Sequence, residues 1–387
     1  MDAIITDASC DAAPGAADRG ADVALDNRLA DIAALAETRL APMAARIDEG
    51  HYPLDMMAPL ARAGAFGFHL SAQGARYDLA LAAMETISAA CGSTGFLTWS
   101  HDVMGLYLDQ SGNNALKARL LPGHVAGETF GGTALSNPMK ALAGIEPMLL
   151  KAVPVVGGWR VSGSLPWVSH IGPGQYCAAI ATVREGHEMM FLLPLDERAK
   201  LRPCPKFSGM EGTGTWGITL DDFFVPHEDV IADPARPFIK RIRAAFILLQ
   251  ASMATGITLG AINDIRAVEG HLGHVNRFLH DGADELEAEL DDLRNRALTL
   301  AQTPFEASDD YLMNVLDVRA EGGELVLRAA QSALLHQGAR GYLMSSAPQR
   351  RIRESHFVAI VTPAIKHLRW EMARLEREVM PLAENAA

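Results

Sequence analysis

The sequence predicts an α+β protein in which one β-rich segment separates two helical ones. Three observations carry this. Apolar residues recur at helical spacing through the first third of the chain. Short β-prone runs then alternate with glycine-rich turns. Long amphipathic helices fill the rest. The expected organisation is a disordered tail over 1–26, an N-terminal helical domain over 27–125, a central β-domain over 126–234 and a C-terminal helical domain over 235–387.

The first 26 residues are rich in Ala, Asp and Gly and lack a basic segment followed by an apolar one, so no secretory signal is read there. Leu29, Ile32, Leu35, Ala36 and Leu40 then mark a helix that breaks at Tyr52-Pro53. A short helix over Leu54–Ala63 ends at Gly64. Tyr77–Ala90 is a further helix, and Gly92-Ser93-Thr94-Gly95 is expected to interrupt it before Phe96–Leu108. Ala115–Leu121 completes a helical domain with short loops.

Met148–Val156, Trp159–Val161, Gln175–Val183 and Met189–Leu193 read as strands, with a hairpin at Gly157-Gly158. Their spacing and turn chemistry predict a small β-barrel or sandwich of about 100 residues. After Pro234 the chain reads as helices over Ile239–Gly270, Asp284–Thr299, Asp309–His336 and Pro363–Glu378, which predicts a four-helix bundle.

With 387 residues, 49% of them hydrophobic, the chain can bury a large core. A net charge of −13 opposes binding to nucleic acid or to an anionic membrane surface. Four dispersed cysteines with no CxxC pair signal neither a zinc knuckle nor a redox dithiol, and a reducing, cytoplasmic setting is expected. Residues 244–262 are apolar enough to be weighed as a membrane span. Gln250, Ser252, Thr255 and Thr258 favour a helix buried in protein. His271, His274 and His280 lack a carboxylate or Cys at matching spacing and read as a solvated helix face. Gly212–Gly217 fits GxGxxG, but the strand-like Ile218–Phe224 follows it where a dinucleotide fingerprint needs a helix.

Four local motifs then occur in order. They are Leu135-Ser136-Asn137-Pro138, then Gly158-Trp159-Arg160-Val161-Ser162-Gly163 with Trp167-Val168-Ser169, then Met210 to Val225-Pro226, and Gly338-Ala339-Arg340-Gly341-Tyr342. In this the chain resembles the acyl-CoA dehydrogenase superfamily over nearly its whole length after the tail. The resemblance implies a flavin, FAD in most members, between the β-domain and the C-terminal helices. It would place Leu135 and Ser136 at the polar edge of the ring, Trp167 and Val168 along its face, Ser169 near the reactive nitrogen and Ala339 on the dinucleotide. The bland alternatives are a core aromatic for Trp167 and turn capping for Ser136 and Ser169. The resemblance also implies a small-molecule or acyl-thioester substrate, an electron-transfer flavoprotein or a flavin reductase as redox partner, and a homotetramer or homodimer.

The family pattern departs at the catalytic base. Thr362 stands where most members carry the Glu that removes the α-proton, and Phe246–Gln250, the alternative location, contains no acid. The Arg-x-x-Phe-Gly segment survives only as His274–Phe278, and Leu335 replaces a Gln, so FMN becomes an alternative to FAD. Three functions follow. The first is acyl-thioester desaturation with a displaced base, such as Glu354 or a histidine. The second is monooxygenation by reduced flavin, with His101, His170 and His356 as proton-handling candidates beside Thr362. The third is a non-catalytic flavin- or acyl-binding role.

Overall fold

The computed structural model of the protein describes residues 16–379, with side chains from 25 to 377. The order is helical, β, helical. Helix α1 (Ala16–Leu35) runs through a π-turn at Ala36–Leu40 into α2 (Ala41–Asp48). Residues 1–15 of the expected tail lie outside the described residues. From Ala16 the chain is helical, because its alanines favour helix more than the overall polarity suggested. Helices α3 (Leu54–Arg62), α4 (Tyr77–Ala90), α5 (Gly92–Gln110) and α6 (Asn114–Val125) follow.

The expected interruption after Ala90 is present but falls at Cys91, whose backbone is extended, and not over Gly92–Gly95. That stretch is the first turn of α5, and its start is fixed from far away: the Gly92 N–H donates to Glu354 Oε1 at 3.0 Å. Gly95 has no room for a side chain, because a Cβ there would lie 1.9 Å from Ser88 Oγ.

The β-domain is one eight-stranded sheet. Its strands are β1 (Gly131–Thr133), β2 (Leu150–Val155), β3 (Gly158–Val168), β4 (Tyr176–Arg184), β5 (His187–Pro194), β6 (Lys200–Pro203), β7 (Trp216–Pro226) and β8 (Val230–Ala232). The path is β6-β7-β3-β2-β4-β5-β8, and β1 pairs parallel to β4. A short helix, α7 (Ser136–Leu142), leaves β1. Strands β4 and β5 read as continuous apolar runs because both of their faces are buried. Cys177, Ala179, Ala181, Phe191 and Leu193 point into the core of the β-domain. Tyr176, Ala178, Ile180, Met190 and Leu192 join the helical core. Gly212–Gly217 forms a tight turn into β7, and no helix follows it.

The C-terminal segment contains α8 (Ala235–Asn276), α9 (Ala283–Leu300), α10 (Asp309–Gln337), α11 (Ala347–Ile360) and α12 (Ile365–Val379). The most apolar 18-residue window of α8 is 94% buried inside the fold. Helix α11 has no apolar stripe to announce it. It carries four buried charged residues: Arg351 and Arg353 pair with Asp264 and Asp48 on other elements, Glu354 accepts from the Gly92 N–H, and Arg350 faces Glu354 within the helix.

Candidate functional site

The site is assembled where β1, β3 and the α11–α12 turn converge. Strand β1 can lie flat against the end of β3 because Gly132 has no side chain: a Cβ there would meet the Ser169 carbonyl oxygen at 2.5 Å. This brings β1, which leads into Leu135-Ser136, against Ser169 and His170 at the end of the Trp167-Val168-Ser169 segment. Leu135 is buried and Ser136 exposed. Trp167 is 58% exposed, an unusual position for so large an aromatic, and its ring stands edge-on to Phe207 with centroids 5.8 Å apart. Val168 points into the core of the β-domain, so only its backbone is available at the surface. Ser169 Oγ shares a 2.7 Å hydrogen bond with Thr215 Oγ1, which shares one of 2.8 Å with Thr213 Oγ1.

The α11–α12 turn closes the other side. Thr362 Oγ1 and Ser136 Oγ share a 2.9 Å hydrogen bond. The Thr362 carbonyl accepts from Gln250 Nε2 at 3.1 Å. Thr362, which the resemblance puts at the base position, and Gln250, at the end of the alternative region Phe246–Gln250, are both neutral, and they are bonded to each other. An exposed indole and two groups of hydroxyls, Ser136–Thr362 and Ser169–Thr215–Thr213, fit a flavin ring, whose needs are an apolar wall and polar contacts at one edge. Ala339 lies exposed at the end of α10, and no contact ties it to these residues.

Beside this turn opens a cavity of about 550 Å³ lined by Met139, Leu142, Ile239, Ile247, Leu312 and Pro363. Its polar wall includes Arg236, Lys240, Arg243, His367, Glu371 and Arg374. Arg243 pairs with Glu371, and His367 Nε2 is 3.8 Å from Glu371 Oε2. His367 has no other partner for either ring nitrogen; burial, with Arg243 and Lys140 nearby, pushes its pKa down to about 4. Sequence reasoning missed this group. The available signal was the i, i+4 spacing of His367 and Glu371 on an amphipathic helix.

The three histidines singled out from sequence do not gather at this site. His356 is exposed on α11. His101 and His170 are completely buried where the N-terminal helices meet the β-domain, and their nitrogens are committed. His101 Nε2 donates to the His124 carbonyl at 2.9 Å, and His124 Nε2 returns the bond to the His101 carbonyl at 2.8 Å. Because carbonyls only accept, both rings carry their proton on Nε2. The two rings stack at 3.6 Å. His101 Nδ1 then accepts from His170 Nε2 at 3.4 Å, and His170 Nδ1 accepts from the Tyr52 hydroxyl at 2.9 Å. His124 Nδ1 accepts from the Tyr176 hydroxyl at 2.7 Å. The bonds in which Nδ1 accepts require neutral imidazole. Burial lowers His101 well below the ordinary value, His124 to about 4 and His170 to about 3. These bonds tie the N-terminal helices to the β-domain, and the ring nitrogens of His101 and His170 are taken by protein partners.

Glu354, considered as a displaced base, is held through one oxygen, Oε1, while its buried Oε2 has no hydrogen-bond partner. It is fully buried, accepts the Gly92 N–H, and lies 3.4 Å from Arg350 Nε. The Phe96–Leu108 segment contributes packed aromatics. Phe96 and Trp99 stack at 5.6 Å and meet Phe357 and Phe246 edge-on at 4.6 Å and 5.1 Å.

Comparison with known proteins agrees with this architecture. Residues 28–128 match the acyl-CoA dehydrogenase N-terminal domain family. The chain is 28% identical over 221 residues to the mitochondrial isovaleryl-CoA dehydrogenase of Oryza sativa subsp. japonica, a match spanning 52% of this chain and about half of that protein, 52%. It is 22% identical over 346 residues to the short-chain specific acyl-CoA dehydrogenase of Clostridium acetobutylicum, spanning 84% of this chain and 90% of that one. Among solved structures, butyryl-CoA dehydrogenase from Megasphaera elsdenii superposes with a TM-score of 0.80 at 15% identity, over 97% of this chain and 99% of that one. The HsaA monooxygenase from M. tuberculosis superposes with a TM-score of 0.71 at 16% identity, over 92% of this chain and 100% of that one. The three-part fold and these matches support membership of the acyl-CoA dehydrogenase superfamily, whose N-terminal domain family matches residues 28–128.

Proposed function

We propose that the protein is a flavin-dependent oxidoreductase that does not start its reaction with a carboxylate base, and that it uses reduced flavin and oxygen to hydroxylate a small organic substrate. The observation that carries this is the bonded pair Thr362 and Gln250. A hydroxyl and an amide cannot remove a carbon-bound proton at neutral pH. The flavin, when bound, supplies the electron transfer. Around it Trp167 would provide the wall, while Ser136, Ser169 and the backbone of Leu135 and Val168 would hold the polar edge. The structural likeness to a monooxygenase supports the reading. A flavin reductase would supply electrons, and FAD and FMN both suit the cradle. Exposed Phe278, Tyr342, Leu343 and Met344 near the ends of α8 and α10 support association with further copies of the chain.

A second reading, desaturation of an acyl thioester, is favoured by the cavity, whose apolar floor suits an acyl chain and whose mixed wall sets Arg236, Lys240, Arg243 and Arg374 beside Glu306, Asp309 and Glu371. One experiment separates the two. Flavin-loaded protein is titrated without oxygen with a panel of acyl-CoA thioesters while the visible spectrum is recorded. An unchanged oxidised-flavin band, with substrate-dependent oxygen consumption once a reductase is added, supports hydroxylation. Bleaching by a thioester overturns it in favour of desaturation.

A further inference from the structure

Arg319 is the residue whose placement most needs a cause. It sits on α10 among Val315, Leu316, Val318 and Ala320, with no accessible surface. Among the described residues no carboxylate pairs with it. Its Nε donates to Gln250 Oε1 at 2.7 Å and its Nη2 to the Val358 carbonyl at 2.5 Å. Its Nη1 has no hydrogen-bond partner. A buried guanidinium with no counter-charge is strongly destabilising, and a hydrophobic side chain of similar volume would serve packing better. Burial lowers its pKa to about 10, which leaves it charged at neutral pH.

Arg319 also sets a direction. Guanidinium nitrogens only donate, so Gln250 must turn its carbonyl oxygen toward Arg319 and its amide nitrogen toward Thr362. The result is a continuous chain from Arg319 through Gln250 to the Thr362 carbonyl, and from the Thr362 hydroxyl to Ser136. Val358 and Thr362, at the end of α11 and just beyond it, are thereby held from one buried cation.

We propose that Arg319 is the positioning residue of the site: through Gln250 it holds the Thr362 turn against Ser136, and its charge makes the site favour negative charge on a bound flavin or substrate. The inference rests on the reading of Ser136 and Thr362 as the flavin edge. A carboxylate base would place a negative charge at this turn, whereas this chain backs it with a positive one. The sign suits a site that holds an anion rather than one that removes a proton.

The test compares flavin affinity in two oxidation states. Dissociation constants of oxidised and chemically reduced flavin are measured for wild type, Arg319→Met, Arg319→Lys and Gln250→Glu. The wild type is expected to bind reduced flavin in preference to oxidised. Arg319→Met should lower that preference roughly tenfold, as expected for loss of a unit charge within about 10 Å at an intermediate dielectric. Arg319→Lys should retain most of it. Gln250→Glu supplies the missing counter-charge, so it should keep the fold and still lower the preference, which decides the matter if Arg319→Met does not fold. An unchanged preference in Gln250→Glu, with flavin bound, overturns the role of Arg319 and leaves the flavin reading intact. Failure of the wild type to bind flavin in either state overturns both.

Discussion

Glu354 Oε1 accepts the backbone N–H of Gly92, the first residue of α5, across 3.0 Å and 262 positions of sequence. A carboxylate at a helix N-terminus satisfies an orphan donor and complements the helix dipole. Arg350 lies on its other side at 3.4 Å. Glu354→Ala would leave Arg350 and the start of α5 without their anion. The expected loss of stability is roughly 3–5 kcal/mol, read by urea denaturation. Glu354→Gln should lose less, because it keeps the acceptor. Unchanged stability in the alanine variant would remove Glu354 from this role and return it to the list of candidate bases.

Trp167 separates binding from folding. Its side chain is more exposed than buried and touches little besides Phe207, so Trp167→Ala should change stability by no more than about 0.5 kcal/mol. Flavin affinity should fall at least about tenfold, since an aromatic contact contributes roughly 1 kcal/mol beyond the area it covers. Fluorescence titration with the flavin measures this, and full retention would displace the ring from this wall.

The buried histidines predict a pH dependence. His69 and His124 are lowered to about 4 and His170 to about 3, and His101 lies well below the ordinary value of 6.5. In the unfolded chain they bind protons from about pH 6.5 downward, while the native state refuses them. Stability is therefore full above pH 6.5 and falls as pH drops toward 4, by about 1.4 kcal/mol per pH unit for each histidine. Asp102, raised by burial, acts in the opposite sense and offsets one of them. Denaturation midpoints at pH 7.5 and 5 check the balance; a flat profile would contradict the neutral network.

Gly256 lies at a close approach of α8 to α4. Replacing a mid-helix glycine by alanine ordinarily stabilises by up to about 1 kcal/mol. Here the added Cβ would lie 2.4 Å from the Glu85 carbonyl oxygen and 2.5 Å from Ser88 Cβ. Gly256→Ala is expected to destabilise by about 1–3 kcal/mol through overpacking, visible as a lower thermal midpoint. A raised midpoint would show that the two helices can separate at little cost.

Local chemistry made most of the fold legible in the sequence. Helical periodicity and turn residues act over a few positions, so the helical–β–helical order and most elements could be read directly. The exceptions have long-range causes. Helix α11 is organised by arginines whose partners, such as Asp264 and Asp48, lie far away in sequence. The first turn of α5 is started by Glu354.

The sequence by itself also determined the residue types at the site: an aromatic wall at Trp167, hydroxyls at Ser136 and Ser169, and Thr362 in place of an acid. Only the tertiary structure decided what those residues do together. Thr362 meets Ser136 across 226 positions and Gln250 across 112, and Gln250 meets Arg319 across 69. His101 and His170 look reactive as letters but are spent on internal hydrogen bonds, whereas Arg319 looks like an ordinary helix residue until its burial is seen. Charge and hydrogen-bonding capacity are properties of a side chain, but whether they are satisfied depends on neighbours that only folding brings near.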